Sequence, residues 1–167
     1  SHIAFTYNGD GTTGGIKLYL NGSQVDDTNL SSGSYTAMEN LTASAKIGHD
    51  PVNSLYIDGN IDDVLITSTE LSSSDITDIY NSGYPKDESE RSGLVAYYKF
   101  DGDVYPVVQD ETEFSNASLN FDGSNEYVII PQNGDDYGSS GDVDFTLSFW
   151  FKLDSVSGAK GLAQWAA

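Results

Sequence analysis

A chain of 167 residues with 38% apolar side chains has room for one domain with a real core, or for pieces of two. Tyr, Phe, Val, Ile, Leu, Gly and Ser are plentiful and Pro is scarce, the balance of a chain rich in strands and turns rather than of a helical bundle. The formal charge of −19 is spread through the turns from Asp10 to Asp154. It argues against nucleic acid and anionic membranes, which carry the same sign, and suits a soluble protein in a salty or calcium-containing medium.

Residues 2–8 alternate and place Ile3, Phe5 and Tyr7 on one face of a half-buried strand. Residues 11–15 read as a loop and residues 16–20 as a second strand. Asn21-Gly22 follows at once and leads into Ser23-Gln24-Val25. Asn-Gly accepts positive φ at both central turn positions, so this spacing predicts a hairpin. Residues 28–42 are polar and read as a loop over a sheet edge, and strands fit 43–47, 55–57 and 61–67. One short helix is predicted, with Ser72 at its N-cap, Asp75 three residues on, and Leu71 packing on Ile76 as a hydrophobic staple. Ile79 and Tyr80 continue its apolar stripe, and Gly83 is placed to end it.

Residues 84–92 are charged, contain Pro85 and read as a linker. The strand pattern then restarts over 94–100, and again over 118–121 and 127–130 with the turn pair Asp122-Gly123 between them. Over 144–153, Phe145, Leu147, Phe149, Phe151 and Leu153 share one face, and Thr146, Ser148, Trp150 and Lys152 share the other. A further apolar run begins at 161–165. Ser1 leads directly into a strand pattern, so the chain is expected to be an excised or processed segment. Many short antiparallel strands with one small helix predict an all-β sandwich or jelly roll.

These blocks have a family likeness. His-Ile-Ala-Phe-Thr-Tyr at 2–7, a Gly-rich loop and Ile-Lys-Leu-Tyr-Leu-Asn-Gly at 16–22 resemble a hairpin of laminin-G-like and pentraxin-like concanavalin A-type domains. Ile47-Gly48, then Ile-Asp-Gly-Asn-Ile-Asp-Asp-Val-Leu-Ile at 57–66 and the capped segment 71–81, resemble the elements that follow it. All of these belong to the C-terminal half of such a domain. Gly-Leu-Val-Ala-Tyr-Tyr-Lys-Phe-Asp-Gly at 93–102, Leu-Asn-Phe-Asp-Gly at 119–123 and Phe-Thr-Leu-Ser-Phe-Trp-Phe-Lys at 145–152 are similar to its opening strands. The order is thus reversed, with a C-terminal half at 1–83, a linker at 84–92 and an N-terminal half at 93–167. It fits a window cut across two tandem repeats, which the linker and abrupt ends favour, or a circular permutant. The family's middle strands are absent either way, so neighbouring copies or flanking sequence are expected to cover the sheet edges.

The chemistry the residues offer is sparse. No cysteine is present, so no disulfide framework exists and redox compartment cannot be read. No apolar run approaches the roughly 20 residues that span a bilayer. Glycanases of similar fold carry a Glu-x-Asp-x-x-Glu strand, and no Glu here is followed by Asp at that spacing. Glu88, Glu90, Glu111 and Glu113 sit in polar runs and read as solvated surface. With only His2 and His49, triads and zinc sites have little material, and His49 in Gly-His-Asp-Pro reads as a surface turn residue. Residues 11–15 lack the following helix that a phosphate cradle needs. Catalysis is not expected.

Calcium is the better chemical expectation, since it takes six to eight oxygen ligands and the resemblance implies a site in rim loops. Candidates are Asp101 and Asp103 after the opening strand, Asp122 and Asn125 in the Asp-Gly turn, and Asp62 or Asp63, which alternate across a strand so that at most one contributes. Asp122-Gly123 is equally explained as hairpin chemistry. Tyr35, Tyr56, Tyr84, Tyr105 and Tyr137 lie outside the core alternation and serve either as glycan platforms or as ordinary loop packing. Sequons at Asn21, Asn29, Asn40 and Asn116 matter in a glycosylating host, and Asn21 already has a role in its turn. The expectation is a non-catalytic binding or adhesion module for carbohydrates or surfaces in a repetitive extracellular, cell-surface or virion-surface protein. The alternative is a structural subunit of a fibre, surface layer or virion, completed by neighbouring copies.

Overall fold

The computed structural model describes residues 1–26, 45–50, 53–100, 107–109, 114–115, 118–130, 144–155 and 163–164. It is mostly antiparallel sheet with one short α-helix, an all-β sandwich fold. The strands fall into two compact units, and the boundary between them lies inside three strands, β7 (Asp58–Thr67), β8 (Leu94–Tyr98) and β13 (Phe145–Leu153).

The first unit is centred on β1 (His2–Tyr7). It pairs antiparallel with β2 (Ile16–Leu20) and with β13, from His2 opposite Trp150 to Tyr7 opposite Phe145. Asn21 and Gly22, at φ of 49° and 76°, turn β2 into β3 (Ser23–Gln24) as the sequence predicts. Gly22 is fixed by space as well as by φ, because a Cβ there would stand 2.8 Å from the Tyr80 ring.

The buried face of β1 is the opposite of the one its apolar residues suggest. His2, Ala4 and Thr6 are fully buried, whereas Ile3 and Phe5 are partly exposed and only Tyr7 on their face is sealed. The cause is α1 (Ser73–Tyr80), whose Ile76 and Ile79 pack with Leu71, Ala4, Tyr19 and Leu65 in one cluster. Leu94, from β8 (Leu94–Tyr98), and Tyr97 close its margin. On the covered face, Thr146 is matched to the backbone entering the helix. Thr146 Oγ1 accepts from the Leu71 amide at 2.9 Å and donates to the Thr69 carbonyl at 2.9 Å.

The helix starts as predicted. Ser72 Oγ accepts from the Asp75 amide, and the Asp75 carboxylate accepts from the Ser72 amide at 3.0 Å, a complete capping box. Its end comes earlier than Gly83, because Asn81 takes the left-handed conformation at φ 43° and Ser82 and Gly83 follow at 57° and 98°. Residues 84–92 then fold back onto the helix. Lys86 and Arg91 reach Asp78 at 2.7 and 2.8 Å, and Arg91 also meets Glu88 at 2.5 Å. Glu88, expected as solvated surface, is 6% exposed because it is tucked beneath that arginine.

In the second unit, β4 (Ala45–Ile47) lies between β12 (Tyr127–Ile130) and β14 (Ala163–Gln164), and β9 (Val107–Gln109) adds to β12. A short hairpin joins β5 (His49–Asp50) and β6 (Leu55–Tyr56). In the larger sheet, β11 (Ser118–Asp122) lies between β10 (Phe114–Ser115) and the start of β7. Ile47, Ile57, Ile61, Leu119, Phe121 and Val128 are buried between these strands. The predicted hairpin over Asp122-Gly123 does not form. β11 and β12 go to different sheets, because Leu119 finds Ile61 and Val128 finds Ile47 as cross-strand partners. In both units, strands from before residue 84 pair with strands from after residue 92.

Two backbone features set the course of β7. Gly59, at φ 146°, sits so close to β13 that a Cβ would collide with the Lys152 carbonyl oxygen. Asp63 takes φ 49°, which breaks the strict alternation assumed for Asp62 and Asp63. Gly59→Ala must therefore push β7 and β13 apart, and the expected loss is about 2–3 kcal/mol in urea unfolding. A loss within 0.5 kcal/mol, the ordinary range of a surface substitution, would show that the close approach is not held in solution.

Candidate ligand-binding site

One pair has the look of a nucleophile and its base. His2 Nε2 and Ser148 Oγ share a 2.6 Å hydrogen bond on the covered face of the first unit. Yet His2 is 0% exposed and Ser148 1%, and among the described residues His2 Nδ1 has no hydrogen-bond partner where a triad would place a carboxylate. Trp150 and Tyr80 lie 5.2 and 6.1 Å from the imidazole, and stack on each other at 5.8 Å. The pair is sealed packing with no route for a substrate. Burial holds the His2 pKa down to about 4, with the positive N-terminus adding to the effect.

The acidic candidates are dispersed. Asp122 stands opposite Asp58 on β7, so Asp62 lies four positions further along, about 13 Å away at strand spacing. Asp62 Oδ1 accepts from the Asp63 amide, and Asp122 Oδ1 accepts from the Ser124 amide at 2.8 Å. Buried Glu126 shapes the same turn by accepting from the Asp122 amide at 2.5 Å. Asn125 is in that turn and exposed, while Asp101 and Asp103 lie outside the described residues. Among the described residues no three His, Asp or Glu groups are arranged to hold a metal ion.

The structure instead gathers an aromatic and cationic group in the second unit. His49 and Tyr56 are cross-strand partners in the β5–β6 hairpin, and their rings stack at 4.3 Å and 11°. Tyr127 of β12 stacks on the same imidazole at 5.1 Å and 29°. Lys46 Nζ lies 4.7 Å from the Tyr127 ring centre, within cation–π range. The hairpin is closed by Asp50, whose Oδ2 accepts from Asn53 Nδ2 at 2.7 Å, and by Ser54 at φ 52°. Both tyrosines and Lys46 keep part of their surface exposed.

His49 itself is 7% exposed, so it is a buried ring and not the surface turn residue that Gly-His-Asp-Pro suggests. Burial lowers its pKa, Lys46 lowers it further, and Asp50 opposes both. The available sequence signal was Ala45, Ile47 and His49 at every second position, which the turn residues Gly48 and Pro51 outweighed. Of the other tyrosine candidates, Tyr84 is 71% exposed, and Tyr35, Tyr105 and Tyr137 lie outside the described residues.

Residues 1–77 match the family model of the concanavalin A-like lectin/glucanases superfamily, laminin G type. The match over residues 1–77 supports a laminin-G-like jelly-roll domain. No curated protein and no solved structure matches it. The matched stretch runs from β1 through most of α1 and includes Lys46, His49 and Tyr56, while Tyr127 comes from beyond it.

The sealed His2 gives a signed pH dependence. Its folded pKa of about 4 lies below the ordinary 6.5, so between those values the unfolded chain binds the proton and the folded chain does not. The His2 contribution is complete above pH 6.5, falls as pH drops, and about 3 kcal/mol is gone below pH 4. Urea unfolding of the protein and of His2→Phe across pH 7 to 4 checks this, with the difference between the two expected to track that interval.

Proposed function

We propose that this laminin-G-like domain is a non-catalytic module that binds carbohydrate outside the cell, at the Tyr56–His49–Tyr127 stack. The stack carries the reading. Aromatic faces offer apolar contact to the C–H faces of a pyranose ring, and Lys46 adds a donor beside them. The family supports a binding role, and the sealed His2–Ser148 pair supports a non-catalytic one. The charge of −19 suits an extracellular, cell-surface or virion-surface setting and disfavours polyanionic partners. The reversed block order supports a place in a repetitive protein. Since β1 pairs with β13, β7 with β11 and β4 with β12, one chain supplies strands of both halves.

A glycan array followed by calorimetry on the best hit tests this. Tyr56→Ala and Tyr127→Ala should each weaken binding about tenfold or more, the worth of one lost aromatic contact, at unchanged far-ultraviolet circular dichroism. Wild-type protein that binds no glycan, or variants that bind as well as it does, would overturn the proposal.

Calcium is a separate part of the proposal and rests on Asp122, Asn125, Asp101 and Asp103. A rise in melting temperature with millimolar calcium, lost in Asp122→Asn, is its signature. A melting curve unmoved at saturating calcium removes the ion.

A further inference from the structure

His49 holds the stack together from its centre, and it is the one member that can take a proton near neutral pH. Its surroundings are prepared for a neutral ring. Nδ1 is buried and has no hydrogen-bond partner among the described residues. For a neutral imidazole this leaves one lone pair unmatched. Once protonated, both ring nitrogens become donors, and Nδ1–H would carry part of a positive charge into a buried place with no acceptor, a far larger cost.

The groups around it can be named element by element. Lys46 of β4 adds a like charge, and Asp50, the next residue of β5, an opposite one. Tyr56 of β6 and Tyr127 of β12 offer ring faces that attract a cation. Residues 163–164 of β14, which packs against β5, are Ala and Gln and do not titrate. The ring faces and Asp50 favour the imidazolium; burial and Lys46 oppose it and prevail, holding the His49 pKa below its ordinary value.

We propose that His49 makes the Tyr56–Tyr127 site acid-releasable: the stack is intact while the imidazole is neutral and opens when it is protonated. This rests on the carbohydrate reading for its use, though not for its existence. Opening lets Nδ1–H find water and takes the charge away from Lys46, so the two tyrosines lose their shared partner. Below the His49 transition, affinity for a glycan bound at pH 7 falls about tenfold or more, the loss given above for one aromatic contact. The transition lies on the acid side of the ordinary histidine range, where an internalised or acidified surface would release its ligand.

The test uses the unliganded protein, so a null glycan screen leaves it readable. The His49 ring signal and the ring signals of Tyr56 and Tyr127 are followed by nuclear magnetic resonance from pH 8 to pH 4. His2 reports separately and is assigned with His2→Phe. The tyrosine shifts should move with the His49 midpoint, and that midpoint should lie below 6.5. His49→Phe, which can stack but cannot titrate, should keep the tyrosine shifts constant over the whole range. If that variant does not fold, Lys46→Met provides the second reading, because removing the like charge should raise the His49 midpoint. Tyrosine signals that stay put while His49 titrates would overturn the proposal. So would an unmoved midpoint in Lys46→Met. If glycans bind and the titration fails, the site stands without the switch; if the titration succeeds and no glycan binds, the switch stands and the carbohydrate reading falls.

Discussion

The hydroxyl of Thr146 is where helix, loop and sheet meet in the first unit. It takes the amide proton of Leu71, one residue before the helix cap, and gives its own proton to the carbonyl of Thr69. A strand residue with an apolar side chain at this position would leave the Leu71 amide without its partner under a helix, at a cost on the order of 1–3 kcal/mol, while the Thr69 carbonyl would keep the Thr67 hydroxyl at 2.8 Å. With Thr146 in place the helix lies on the polar face of β13 and β1, and the rest of the unit follows. Ala4 is small enough to sit beneath Ile76 and Ile79, His2 is driven into the interior beside Ser148, and Ile3 and Phe5 are left partly exposed on the other side.

That inversion explains what was legible in the chain. Features set by a few adjacent residues were readable: the Asn21-Gly22 hairpin, the Ser72–Asp75 capping box, and the long β13 strand. Features set by partners far along the chain were not. Alternation shows two faces of β1 and cannot say which one the helix will cover, and apolar content pointed to the wrong one. Asp122-Gly123 has hairpin chemistry, but the choice between pairing β11 with β12 and sending each to a separate sheet depends on Ile61 and Ile47, 58 and 81 positions away from their partners Leu119 and Val128.

The candidate site was partly visible for the same reason. Tyr56 stood out as an aromatic outside the core alternation, and it lies within the stretch that the family model matches. His49 was hidden by its neighbours, since a Gly before and a Pro shortly after describe a turn whether or not the ring between them is buried. Tyr127 joins from the far side of residues 84–92 and has meaning only once β12 is paired with β4. A ligand surface assembled from three strands of different sequence origin cannot be found by spacing.

Both histidines ended in positions that suit a neutral ring, one in each unit, and the physical reasons differ. His2 is sealed beneath a helix with Ser148 at one nitrogen, so its proton affinity is a by-product of packing and its effect is on stability. His49 sits between two partly exposed tyrosines with a lysine close by, so the same depressed affinity acts at a surface where it alters shape. Burial alone therefore does not separate a structural histidine from a functional one. The difference lies in what surrounds the ring: closed apolar packing can only lose stability when the proton arrives, whereas a stack that is open at its edges can rearrange and still leave the sheet beneath it folded.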